Sequence, residues 1–246
     1  MFKTAKDGCS VWEAFLTPNL IGSKANGFAV DALKTGLSQS ACLKIMKKRY
    51  NIQSSGEFIE ALCARLAQQH EKTALFDSLS SSISQNYSLY ASLDDAWHFK
   101  ASITEGLDAT DINGAVAGLL AGLEKLEATE FFNSVKDFSN LSAIAFFLDN
   151  AITELRLAHS CGWISEDELL EQVNKAYYLT VSHYSSWREF CRGYLAGMAC
   201  CGEECQPALA KAMIACLYEI SSPWVKCEVF KAVEGQDSMQ MPLFAS

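Results

Sequence analysis

Hydrophobic residues recur at steps of three and four from residue 141 to residue 198, which predicts three consecutive amphipathic helices. Ser165 and Ser186 are each followed three residues later by Glu, as in the capping box that opens a helix. Gly162 suits the left-handed residue that ends the first helix. The stripes contain Leu141, Ile144, Leu148, Ile152 and Leu155, then Leu169, Val173, Ala176, Tyr177, Thr180 and Tyr184, and finally Trp187, Phe190, Tyr194 and Met198.

Helical spacing continues outside this region, and no stretch alternates as a strand does. Gly193 and Gly197 leave one side of the third helix bare, which predicts a close approach by a neighbouring backbone. We predict an all-α protein, a single compact multi-helix bundle of about nine to eleven helices with no significant sheet. Further predictions are a loop at 22–27 and helices at 28–37, from Ser38 or Ser40 to Arg49, at 94–107 and from Asp108 or Asp111. We also predict a capped helix from Ser54, a weak helix or mobile connection at 78–92, and helix starts at Pro207 and Pro223.

The 246 residues include only four prolines, and no Pro/Gly/Ser-rich linker separates two halves. The chain is long enough to bury a full core. We therefore predict a single helical domain over residues 1–235 and a flexible tail over 236–246.

The net charge of −9 argues against nucleic acid or an anionic membrane as a direct partner. A basic cluster of Lys44, Lys47, Lys48 and Arg49 is the local exception, read as a solvated helix end or as a phosphate patch. The start of the chain lacks the apolar run of a signal peptide, and apolar stretches are too short to span a bilayer. These features favour a soluble, cytoplasmic protein.

Ten cysteines are scattered among apolar positions, which favours small buried side chains over a disulfide framework. Cys200, Cys201 and Cys205 could hold a metal, but adjacent cysteines rarely both reach one tetrahedral ion. Packing at a helix end is the simpler interpretation. We predict no metal and no cofactor.

Asp149 and Arg156 are seven residues apart, so they project from the same side of the first central helix. One interpretation is a partly buried salt bridge between helices. The other is a small-ligand pocket whose aromatic walls would be Trp163, Tyr177, Trp187 and Tyr194. No P-loop, zinc-protease motif or nucleophile elbow is present. The histidines are isolated, so the pattern favours a non-enzyme without deciding it.

The end of the chain reads Gln240-Met241-Pro242-Leu243-Phe244. It resembles the Gln-Leu-x-Leu-Phe peptide by which bacterial proteins bind the replication sliding clamp. A free tail could insert Leu243 and Phe244 into an apolar pocket while Gln240 forms a hydrogen bond outside it. Chance similarity and docking on the protein's own surface are the alternatives.

Several short segments share an order with one known family. They are Tyr50-Asn51-Ile52 before a capped helix, His70, Asp149, Gly162-Trp163-Ile164-Ser165, Ser186-Trp187 and Tyr194-Leu195-Ala196-Gly197. Over about residues 30–200 the chain therefore resembles the bacterial family called domain of unknown function 1266. The family pattern has arginines where this chain has Ile152 and Met198. The resemblance implies no activity.

The absence of a catalytic constellation, the acidic balance and the aromatic helices favour a cytoplasmic bacterial protein-interaction module. Immunity, adaptor and co-chaperone-associated roles all fit, with another protein as the partner and the oligomeric state open. The alternatives are a small-molecule-binding protein or enzyme with a pocket near Asp149 and Arg156, and a protein tethered to the sliding clamp by its tail.

Overall fold

The computed structural model describes residues 16–86, 130–133, 135–227 and 229–231. Most of these residues are helical and none forms a strand, which confirms the all-α class. They contain seven helices: α1 (Leu20–Asn26), α2 (Gln39–Ile45), α3 (Ser55–Asn86), α4 (Ile144–Cys161), α5 (Glu166–His183), α6 (Trp187–Cys200) and α7 (Pro207–Tyr218). Shorter elements are 3-10 turns at Thr17–Asn19, Val135–Phe138 and Val229–Lys231, a π-helical segment at Met46–Tyr50 and one helical turn at Pro223–Lys226.

Seven helices are fewer than the predicted nine to eleven. The helices predicted at 94–107 and from residue 111 lie outside the described residues. The serine-rich stretch is not a separate element up to residue 86, because α3 continues unbroken to Asn86. Ser80 lies inside this helix, is buried, and donates a hydrogen bond to the Leu141 carbonyl at 2.9 Å.

The chain forms two compact units. The first contains the described residues of Met1–Ala67, Leu148–Trp187 and Gln206–Ser246, and its core includes Leu20, Ile21, Met46, Phe58 and Val173. The second contains those of Gln68–Phe147 and Arg188–Cys205, and its core includes Phe76, Phe131, Phe138, Phe190 and Leu195. The prediction of one domain over 1–235 stays a prediction.

The three central helices form where their sequence signals predict them. The Ser165 hydroxyl accepts a hydrogen bond from the Glu168 amide at 3.2 Å, and the Glu168 carboxylate accepts one from the Ser165 amide at 2.7 Å. This reciprocal pair is the expected capping box of α5. Gly162 has a φ of 78°, and α6 begins directly after Ser186. Local signals therefore set these boundaries.

Two neighbouring predictions on the N-terminal side are wrong. Residues 22–27, predicted to be a loop, lie mostly in α1, which ends at the left-handed Gly27 with φ of 68°. Residues 28–37, predicted to be helical, are irregular. Four of their carbonyl groups converge on the side chain of Arg156 and accept its hydrogen bonds in place of the i to i+4 hydrogen bonds of a helix.

Eight described cysteines are free thiols, and four of them, Cys42, Cys161, Cys191 and Cys216, are buried. Burial raises the pKa of Cys161 to about 11 and that of Cys216 to about 12. These thiols therefore act as small apolar side chains. Cys227 differs because it is disulfide-bonded, so the interpretation of the cysteines as free thiols is wrong at this residue.

Gly197 in α6 confirms the predicted close approach. A Cβ atom there would lie 2.5 Å from the Ala143 carbonyl oxygen and 2.7 Å from the Phe146 Cβ atom. The second unit thus requires a residue without a side chain at this position, which explains a glycine inside a helix.

Replacing Gly197 by alanine should lower the free energy of unfolding by about 1–3 kcal/mol, because backbone must move to admit the methyl group. Gly56→Ala is the matched control, since a Cβ at Gly56 meets nothing within 4 Å in the first turn of α3. That control should be neutral or stabilising by up to about 1 kcal/mol. Urea unfolding followed by circular dichroism measures both, and equal effects would contradict the assigned contact.

Candidate functional site

The two charged residues predicted to form a pair are both in the core of the first unit. Asp149 and Arg156 lie on α4 with 1% and 0% of their surface exposed. Asn19 joins them: its amide nitrogen donates to Asp149 Oδ1 at 3.1 Å, and its amide oxygen accepts from Arg156 Nη1 at 2.9 Å. The sequence predicted that Asp149 and Arg156 lie on one side of a helix, but it did not predict that the side-chain amide of Asn19 links them.

Arg156 uses all five of its N–H groups inside the protein. Nε donates to the Leu33 carbonyl at 3.0 Å, and Nη1 also donates to the Ser23 hydroxyl at 2.6 Å. Nη2 donates to the carbonyls of Ala29, Ala32 and Lys34. Burial lowers the pKa of Arg156 to about 10, and the nearby Asp149 opposes that shift, so the side chain stays charged at neutral pH.

Asp149 is held against the first helix. Its Oδ1 accepts a hydrogen bond from the Gly22 amide at 3.0 Å. A Cβ atom at Gly22 would lie 2.6 Å from Asp149 Oδ2 and 2.7 Å from Thr153 Oγ1. Only glycine allows α1 to approach the carboxylate this closely. Sequence reasoning missed Asn19, Gly22 and Ser23, because none belongs to a motif.

A second polar cluster on α4 surrounds Glu154, which is 4% exposed. Arg65 of α3 forms a salt bridge with its carboxylate. The Tyr50 ring lies within 5.4 Å of the Arg49 guanidinium and 5.6 Å of that of Arg65. Burial raises the pKa of Glu154, and the charge of Arg65 opposes this shift. Burial likewise raises the pKa of Tyr50 to about 12.

The four aromatic residues predicted to line the pocket have different neighbours. The ring centroid of Trp163 lies 6.4 Å from that of Phe58, and the centroid of Tyr177 lies 5.8 Å from that of Tyr178. Trp187 stacks on Trp224 with a centroid separation of 4.7 Å and an interplanar angle of 2°. Tyr194 belongs to the second unit, where its ring meets the Phe146 ring edge-on at 5.2 Å. These contacts are typical of core packing.

The described polar clusters do not combine into a reaction centre. His159 Nδ1 lies 3.1 Å from the Ile164 carbonyl, a contact within its own turn. Burial raises the pKa of Cys200 to about 12 and also raises that of Cys201, which disfavours the thiolates that metals and electrophiles require. Among the described residues, no group of three His, Cys, Asp or Glu side chains could hold a metal ion.

Burial counts against an open pocket at the predicted residues. The guanidinium that a ligand would contact is already surrounded by the chain's own carbonyl groups. The arrangement fits the structural interpretation better, in which the charges position α1 and the following loop on α4. A ligand site there stays a prediction. The tail residues Gln240, Met241, Leu243 and Phe244 lie outside the described residues, so clamp binding also stays a prediction.

The surface of the first unit has an apolar face along α7. Lys211, Ile214, Ala215, Tyr218 and Glu219 line a shallow depression of about 350 Å³. Tyr218 is 65% exposed, and Ile220 just beyond the helix is 87% exposed. The opposite side of α7 buries Met213 and Cys216. The sequence predicted the buried side of α7 but not the exposed apolar side. The apolar residues Ile214, Ala215 and Tyr218, which lie outside the buried stripe, could have indicated it.

Comparison with known proteins gives one match. Residues 46–229 match the model of a family described as "Protein of unknown function (DUF1266)". No curated protein and no solved structure matches the chain. In the described ranges no helix is long and apolar enough to cross a membrane.

Replacing Arg156 by alanine should lower the free energy of unfolding by about 3–5 kcal/mol, because several buried carbonyl groups lose their donor together. The free energy of unfolding of Arg156→Lys should lie between those of the wild type and Arg156→Ala, since an ammonium group has three N–H donors. Arg49→Ala is the control at an exposed arginine that donates one hydrogen bond to Asn26, and should cost less than about 1 kcal/mol. Equal losses at both arginines in urea unfolding would contradict the assigned role.

The raised pKa of Glu154 predicts a pH dependence of stability. The folded chain binds this proton more tightly than the unfolded chain does, so stability is fully present below the ordinary pKa of 4.5 and is lost as pH rises through the folded pKa. The free energy of unfolding of the wild type, relative to Glu154→Gln, should therefore fall as pH increases from 4.5. Arg65→Met should extend that fall to higher pH. A relative stability that rises with pH would contradict the assignment.

Proposed function

We propose that this chain, which belongs to the DUF1266 family of proteins of unknown function, is a bacterial cytoplasmic protein-binding module that acts through the outer face of α7. The observation that carries the proposal is the exposure of large apolar side chains in the last turn of α7 and in the residues that follow it. Tyr218, Ile220 and Val225 are 65%, 87% and 45% exposed. Contiguous apolar surface on a soluble domain marks contact sites for other proteins.

The chemistry of this face suits a protein better than a small ligand. The depression is shallow and lined mainly by aliphatic and aromatic atoms, and its two charged residues, Lys211 and Glu219, are eight positions apart along the chain. Small ligands are usually held in concave sites that cover most of their surface. A flat apolar centre with a charged rim is instead the usual anatomy of a protein interface.

The polar clusters of the first unit support the same proposal by exclusion. Arg156 and Asp149 are engaged with Asn19, Ser23 and the residue 28–37 loop. A group that must keep several buried carbonyls satisfied is poorly suited to exchanging them for a substrate. A binding role is therefore favoured over catalysis, and immunity, adaptor and co-chaperone-associated roles are the forms we would test.

The experiment is affinity capture with three baits: the wild type, Ile220→Ser and Ile59→Ser. Ile59 is the matched control, because it is 54% exposed on α3, away in sequence from the proposed face. A protein bound through this face should be captured by the wild type and Ile59→Ser, and at least about fivefold less by Ile220→Ser, since the contact of a large exposed apolar side chain is lost.

Binding must then be reproduced with the purified captured protein in a titration against the same three chains. Equal affinities for wild type and Ile220→Ser would exclude the outer face of α7 as the binding surface. Circular dichroism of the variants checks that each bait is folded, which is expected because both isoleucines are exposed.

A further inference from the structure

We propose that the partner that the outer face of α7 fits is a second copy of this chain, paired with it as two antiparallel α7 helices about a twofold axis. The inference rests on the proposed function, because it uses the same face, and it names the partner. The inference is based on the order of side-chain size and charge along this face, which matches the same face of a second copy when that copy runs in the opposite direction. A symmetric dimer is built from such a surface.

Lys211, Ala215 and Glu219 are four residues apart and form one ridge along the face. Glu219 is the C-cap residue of α7, so the ridge covers the second half of the helix. The two charged residues are equally distant from Ala215, about 6 Å along the axis at 1.5 Å per residue. Ridges of this spacing from two helices interlock in the commonest packing class of globular proteins.

Placing the twofold axis at Ala215 sets each charged residue of the ridge opposite a residue of opposite charge. The small side chains of the two Ala215 residues meet at the crossing point and let the helices approach closely. Lys211 of each copy then lies opposite the partner's Glu219, so two ion pairs form at the two ends. In each copy Lys24 already contacts Glu219 Oε2 at 2.8 Å, and we assign Oε1 to the partner's Lys211.

Apolar side chains of the same face cover the space between the charged ends. Ile214 and Tyr218 lie along one side of the Lys211–Ala215–Glu219 ridge within the depression. Ile220 and Val225, which follow the end of the helix, are exposed as well. One twelve-residue helix offers less area than the about 800 Å² per partner of a standard stable interface, so the dimer should be reversible.

The test is sedimentation of the full chain over a concentration series, combined with charge reversal. The wild type should show a concentration-dependent monomer–dimer equilibrium. Lys211→Glu and Glu219→Lys should each weaken dimerisation about tenfold, because each places like charges opposite one another at both ends. The variant that combines Lys211→Glu and Glu219→Lys with Lys24→Glu restores opposite charges across the interface and keeps the pair between residues 24 and 219, so this double charge swap should return the dissociation constant to within about threefold of wild type.

Lys44→Glu and Glu60→Lys are the matched controls, because both residues are exposed and the variants change net charge by the same amounts. They should leave the equilibrium unchanged. A wild type that stays monomeric up to about 1 mM would overturn the proposal, since a shorter-lived contact would not fit a built interface. A dimer that ignores the reversals, or one that the double charge swap does not restore, would also overturn it.

These outcomes separate the inference from the function on which it rests. A monomeric wild type that still captures another protein in an Ile220-dependent manner refutes the second copy and leaves the proposed function standing. A dimer that follows the charge swap supports both. A monomeric wild type whose captured proteins ignore Ile220→Ser removes both.

Discussion

The buried guanidinium of Arg156 is the interaction on which the described structure of the first unit most depends. A charge with no exposed surface is tolerated only where hydrogen bonds replace its water. Here the replacement comes from Asn19, Ser23 and the carbonyls of the loop over residues 28–37. The loop follows a path that brings its carbonyl groups to the guanidinium, and these carbonyl groups make burial of the charge possible. The conformation of the loop and the burial of Arg156 therefore depend on each other.

The features that sequence predicted are those whose causes are local. The start of α5 depends on Ser165 and Glu168, three residues apart, and the end of α4 depends on the left-handed conformation of Gly162. Their energetics involve one helical turn, so the printed order of residues contains the whole interaction. The need for Gly197 was also visible, because a bare position in a helix already suggests a close neighbour.

The features that escaped prediction depend on residues distant in the chain. Asn19 meets Arg156 across 137 positions, and Gly22 meets Asp149 across 127, so no local pattern could pair them. The loop over 28–37 has acceptable helical composition, and its propensity is overridden by the tertiary demand of one guanidinium. Tyr177, Trp187 and Tyr194 are buried on their helices, as their spacing predicted, but spacing along a helix does not say which ring lies opposite. The stacking of Trp187 on Trp224 was therefore not predicted.

The same balance of burial underlies the proposal that the outer face of α7 binds another surface. The buried charges of Asp149 and Arg156 are already hydrogen-bonded within the first unit, so they offer little to a partner. The helix buries Met213 and Cys216 while Tyr218 and the following Ile220 stay exposed. Full burial of one such side chain contributes about 1.5–3 kcal/mol. Because Ile220 is exposed, this contribution is absent from the folding of a single chain. In the proposed association another surface would bury this side chain, and Lys211 and Glu219 would select that surface by its charge.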